Sequence, residues 1–126
     1  MSSNGGSILT LSYIGGNRTT PNYNIMGVAK SALEASVRYL SMDLGKKNIR
    51  VNSLSSGPMR TLAGSAITGA RHIFRHSEKN SPLERNPNLI EVSKSAIYLI
   101  SDLSSGVTGE NHFVDGGYNI TAIPKE

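Results

Sequence analysis

Two phenols and an ammonium lie close together in the run Tyr-Ile-Gly-Gly-Asn-Arg-Thr-Thr-Pro-Asn-Tyr-Asn-Ile-Met-Gly-Val-Ala-Lys, which spans Tyr13 to Lys30. Lys30 follows Tyr23 by seven residues. On an α-helix that is nearly two turns, which puts both side chains on one face, roughly 10 Å apart along the axis. Met26 stands between them, a soft apolar group suited to lining a pocket. Taken singly, each tyrosine reads as an ordinary interfacial residue and the lysine as a solvated one. Their joint spacing reads instead as a proton-donating, cation-bearing site.

Two elements must position these groups. The short apolar run Ser7 to Leu11 reads as a buried strand, with Tyr13 just beyond its carboxyl end, where open α/β sheets bind ligands. Pro21 suits the first turn of a helix, and Asn22 can accept a bond from unpaired backbone donors there. The helix is expected from about Tyr23 to Leu44, with Val28, Leu33, Val37, Leu40 and Leu44 as its apolar face and Gly45 as its stop. Arg50 to Leu54 reads as a second strand, ending in a bend at Ser56-Gly57-Pro58. Leu62 to Phe74 reads as a helical lid of limited stability, and Asn80 to Pro87 as a turn-rich connector. A helix follows over Leu89 to Leu103, opened by Asn88 and Glu91 as an approximate capping box. The last strand is Asn111 to Val114, and Asp115-Gly116-Gly117 reads as turn geometry. The tail, Tyr118 to Glu126, is expected to be held only if a partner subunit receives it.

These residues carry a resemblance. The most frequent short-chain dehydrogenase pattern is Tyr-x3-Lys, but Met26 occupies the position four before Lys30. Tyr23, Met26 and Lys30 instead match a Tyr-x6-Lys pattern with Met three after the Tyr, and Tyr13 matches a second tyrosine. The sequence thus resembles the bacterial NADH-dependent enoyl-acyl-carrier-protein reductases of the short-chain dehydrogenase/reductase superfamily. The likeness continues through Val51-Asn52-Ser53, Ser56 to Ala63 and Asp115-Gly116-Gly117.

The resemblance implies an α/β fold, the carboxyl-terminal half of a Rossmann-like doubly wound parallel sheet of about three strands, with residues 1–126 forming one partial domain. It also implies reduction of a trans-2-enoyl thioester on acyl carrier protein with NADH, in fatty acid biosynthesis. Tyr13, Tyr23 and Lys30 would be catalytic. Lys30, Met59, Arg60, Thr61, Leu62 and Ala63 would bind the cofactor, and Tyr13 and Met26 the substrate. Residues 61–80 would form the substrate-binding lid. Arg71, Arg75 and Lys79 beside it could dock the acidic carrier protein. Family members are homotetramers packed partly through the long helix and the last strand. They carry roughly another half-chain with a glycine-rich phosphate turn; no such turn and no adenosine-binding acidic residue is found here, so the chain reads as a carboxyl-terminal fragment. A carbonyl-reducing dehydrogenase and a silent interaction module stand as alternatives.

Composition narrows the classes further. The chain has 126 residues, 37% of them hydrophobic, and no cysteine. A disulfide framework, a thiolate metal site and a catalytic thiol are thereby excluded, and a reducing, cytoplasmic setting fits. No stretch approaches the roughly 20 apolar residues of a membrane span, and Met1 to Gly6 do not read as an export signal. Net charge is +4, but the basic residues are dispersed, without the runs that mark nucleic-acid binding. His72 and His76 have the i, i+4 spacing of a metal pair without the neighbouring carboxylate of zinc proteases, so no metal site is assigned.

Overall fold

The computed structural model describes residues 4–125. Strand β1 (Gly6–Ser12) leads through a 3-10 turn at Ile14–Gly16 to helix α1 (Asn24–Leu44), and strand β2 (Ile49–Ser56) follows. Helices α2 (Leu62–Ser65), α3 (Ala70–Asn80) and α4 (Leu89–Ile100) come next, then strand β3 (Asn111–Val114). The strands form one parallel sheet in the order β1-β2-β3, so β2 is central. Leu11 pairs with Leu54 and Ser12 with Ser55, while Ser56 pairs with Val114, bringing the three carboxyl ends to one edge.

Strand alternation assigns the two faces. Leu54 packs with Val92 and Leu99 of α4, and Leu9 and Val114 join the same cluster. Ser7 and Arg50 are on this face too, both donating to the Leu99 carbonyl. The opposite face carries Ser12, which bonds to Glu34 of α1. Helices α1 and α4 therefore sandwich the sheet, which is how parallel sheets bury both faces. The polar residues of β2 are satisfied rather than stranded: Asn52 donates to the Val107 carbonyl and accepts from the Glu110 amide. Among the described residues, no helix is long and apolar enough to cross a membrane.

Several boundaries differ from expectation. Pro21 and Asn22 lie in the turn before α1; Asn22 has φ 61°, and its side chain donates to the Thr68 carbonyl instead of capping the helix. Tyr23 is the N-cap residue. Helix α1 ends at Leu44 with Gly45 as its C-cap, as expected, but Gly45 at φ −57° is not left-handed; a 3-10 turn follows and Asn48 takes the left-handed conformation. Of the expected apolar face, Val37 is buried while Val28 and Leu40 are exposed. The lid is two helices, since Gly69 at φ 81° breaks the run, and α3 extends to Asn80 into the expected connector. Helix α4 ends at Ile100, three residues early, and passes into a 3-10 turn. The tail is held by its own chain as far as described: Arg18 donates to the Thr121 carbonyl, the Lys125 amide donates to Asn80, and the Lys125 ammonium pairs with Glu84. Its last residue, Glu126, lies outside the described residues.

The capping box forms as expected. Asn88 Oδ1 accepts from the Glu91 amide and Glu91 Oε2 from the Asn88 amide, both at 2.9 Å. Arg85 adds a bidentate pair to Glu91 at 2.6 and 2.9 Å. Arg85 first, and the Asn88 amide second, hold the Glu91 carboxyl down from 4.5 to about 2. The folded value lies below the unfolded one, so the contribution is present above about pH 4.5 and is lost as pH falls through about 2. Stability measured by urea denaturation is expected to fall more steeply over that window in the wild type than in Glu91→Gln; identical acid limbs would contradict this.

Candidate functional site

A cleft of about 1390 Å³ opens at the carboxyl ends of β1 and β2. Tyr13, Tyr23, Met26 and Lys30 line it, and so do Met59, Arg60, Thr61, Leu62 and Ala63 from the segment after β2. The catalytic, cofactor-binding and substrate-binding candidates therefore border one space, as do Arg71 and Arg75, whereas Lys79, His72 and His76 do not line it. Apolar groups that sequence reasoning passed over, Ile67, Ile73 and Phe74, line it as well. For Ile73 and Phe74 the signal was present: α3 is amphipathic, and its apolar residues Ala70, Ile73 and Phe74 face the cleft, while Ile67 comes from the turn before it.

The two phenols touch. Their ring centroids are 5.2 Å apart at 68°, an edge-to-face pair. Tyr23 is 8% exposed. Among the described residues neither hydroxyl bonds to another protein group, so both remain available to a ligand. Burial, then the charges of Tyr23 and Tyr118, push the Tyr13 phenol up to about 12. Burial also raises Tyr23. Both therefore stay protonated, as donors, throughout the physiological range.

Glycines seat the turn that follows Tyr13. A Cβ on Gly15 would lie 2.4 Å from the Tyr23 ring, and one on Gly27 would lie 2.9 Å from the Gly15 carbonyl oxygen. Lys30 Nζ donates to the Leu11 carbonyl at 2.9 Å. An ammonium has three donors, so this bond orients it and leaves others for a ligand.

The segment after β2 is shaped by its own packing. At Gly57 a Cβ would meet Pro87 at 2.9 Å and the Asp115 Cα at 3.0 Å, so fold contacts require that glycine. Asp115 serves turn geometry, its carboxylate accepting from the amides of Gly117 and Asn119. Thr61 caps α2, its hydroxyl oxygen accepting from the Gly64 amide at 3.0 Å, which leaves the hydroxyl proton to donate. The Arg60 guanidinium stands 4.9 Å from the centre of the Phe74 ring and ties this segment to α3. His76 is engaged outside the cleft, its Nδ1 2.9 Å from the Tyr118 hydroxyl.

Known proteins share this sequence and fold. Residues 1–119 match the family model described as enoyl-(acyl carrier protein) reductase. The enoyl-(acyl-carrier-protein) reductase (NADH) 2 of Rhizobium meliloti is 60% identical over 122 residues, 97% of this chain and 46% of that protein. The crystal structure of FabI from Candidatus Liberibacter asiaticus superposes with a TM-score of 0.93 at 54% identity, covering 98% of this chain and 48% of that one. An enoyl-(acyl-carrier-protein) reductase from Anaplasma phagocytophilum, solved in complex with NAD, gives 0.93 at 53% identity, covering 99% and 48%. The chain spans about half the length of the curated relatives it matches. A Tyr-x6-Lys helix beside a second phenol, in a fold and sequence this similar along nearly the whole chain, leaves one assignment: the chain belongs to the enoyl-(acyl carrier protein) reductase family.

Proposed function

We propose that this chain supplies the substrate-facing half of an NADH-dependent reductase that converts a trans-2-enoyl group on acyl carrier protein to the saturated acyl group, in cytoplasmic fatty acid biosynthesis. The observation that carries the reading is the convergence of Tyr13, Tyr23, Met26 and Lys30 with Met59 to Ala63 around one cleft. A homotetramer built partly on α1 and β3 belongs to the same proposal.

The donor set fits a nicotinamide nucleotide. Lys30 has spare ammonium donors for ribose hydroxyls, and the Thr61 hydroxyl proton is available to a phosphate or carboxamide. Bound there, a reduced nicotinamide supplies hydride to the β-carbon of the enoyl thioester. The chain's own residues do the rest. Negative charge gathers on the thioester oxygen as an enolate forms, and the Tyr23 hydroxyl donates to that oxygen more strongly than to the neutral carbonyl. Burial keeps Tyr23 protonated for this role. Tyr13 packs edge-on against Tyr23, fixes its ring and borders the substrate, and Met26 lines the acyl path. Residues 61–80 serve as the lid, with Arg60 on Phe74 as its tether. Arg71, Arg75 and Lys79 recur at four-residue spacing on α3, one cationic stripe beside the cleft for the acidic carrier.

Two measurements test this reading in the protein as its gene expresses it. Tyr23→Phe is expected to lower turnover of crotonyl thioester roughly 10- to 100-fold with little change in the Michaelis constant for NADH; unchanged turnover would remove Tyr23 from the chemistry. Reversing charge with Arg71→Glu and Lys79→Glu is expected to raise the Michaelis constant for carrier-bound substrate several-fold at low salt, and to leave that for the coenzyme A thioester unaltered. Equal effects on both substrates would rule out carrier docking on α3.

A further inference from the structure

Glu34 is buried on α1 at 8% exposure, and among the described residues no lysine, arginine or histidine forms an ion pair with it. A carboxyl so placed needs hydrogen bonds to offset its lost hydration. Ser12 Oγ donates to Glu34 Oε1 at 2.6 Å. Ser12 is the last residue of β1, and Tyr13 comes next. One turn earlier on α1, Lys30 Nζ donates to the carbonyl of Leu11. Helix α1 thus grips two consecutive residues, and the grip ends where Tyr13 begins. The far side of the turn rests on the same groups: Ser31 Oγ donates to the Gly16 carbonyl at 2.6 Å, and a Cβ on Gly16 would lie 2.8 Å from Glu34 Oε1.

We propose that Glu34 is a positioning residue, which through its hydrogen bond with Ser12 sets where the Tyr13 ring lies against Tyr23 in the cleft. The Tyr13 hydroxyl has no protein partner among the described residues, so its backbone and the edge-on contact with Tyr23 decide where the ring goes. The extended backbone at Tyr13, φ −149° and ψ 154°, carries any shift of Ser12 directly into the ring. The inference deepens the reading of the cleft as a reductase site and rests on it for its importance. Its physical content, the placement of one ring, can be measured without turnover.

The Tyr13 titration reports that placement, because burial and then the neighbouring Tyr23 and Tyr118 raise it to about 12. The test uses the whole chain with tyrosine carbon-13 labelled at Cζ, the Tyr13 signal being identified by its loss in Tyr13→Phe. Glu34→Ala is expected to lower the Tyr13 midpoint by about one pH unit as the ring gains water, while Glu34→Gln, which keeps an acceptor for Ser12, leaves it within about 0.3. An unmoved midpoint in Glu34→Ala overturns the proposal. So does a Gln variant that shifts as far as Ala, since charge and not the hydrogen bond would then be responsible. If Glu34→Ala does not fold, Ser12→Ala removes the same bond from its other end, with the same expected fall and the same overturning result. Failure of the reductase reading would appear in Tyr23→Phe turnover and leave this titration as expected, so the two are distinguishable.

Discussion

The site depends on how the carboxyl end of β1 is fastened to α1. The Lys30 ammonium holds the Leu11 carbonyl, and the Glu34 carboxyl holds the Ser12 hydroxyl. These side chains are one helical turn apart, so a single helix face fixes both the height and the direction of the strand's exit. The register does the rest: with Leu11 opposite Leu54 and Ser12 opposite Ser55, β2 ends beside β1, and the segment from Met59 to Ala63 necessarily leaves toward the same space. The cleft is thus a consequence of strand pairing and helix phase together.

The same geometry explains why the phenols act as donors. Packing the two rings edge to face in a niche lined by Gly15 and Gly27 buries Tyr23 and partly buries Tyr13, and burial disfavours the phenolate. Side chains larger than hydrogen at those glycines would strike Tyr23 or the turn itself. The small residue Gly27 on the first half of α1 therefore serves close packing of the turn.

Much of the site was legible because its signals are local. Asn88 to Glu91 is a capping pair within one turn, and it formed; Tyr23 and Lys30 share the cleft as their spacing suggested, although Tyr23 stands at the N-cap and not inside α1. Elements set by distant contacts were not legible. Asn22 gives its side chain to Thr68 instead of the helix start, and Asn48, not Gly45, takes the left-handed turn at the end of α1. The tail looked loose because the groups that hold it, Asn80 and Glu84, are 45 and 41 residues from Lys125. Glu34 escaped notice for the same reason: on a helical wheel it falls beside Lys30, Ser31 and Arg38 and reads as a solvated charge, and only tertiary pairing with Ser12 gives it a purpose. Where a residue's partner was adjacent in sequence the pattern carried the answer, and where the partner came from another element it did not.

The account centres on one arrangement, in which Tyr23 and Lys30 serve a single ligand pair in the cleft beside Tyr13. A crystal structure of the protein with NADH and a non-reducible enoyl thioester analogue tests it most directly. The account requires the Tyr23 hydroxyl within hydrogen-bond distance of the thioester oxygen and the Lys30 ammonium on the nicotinamide ribose. A thioester oxygen facing away from Tyr23, or a nicotinamide ribose bound out of reach of Lys30, would contradict it.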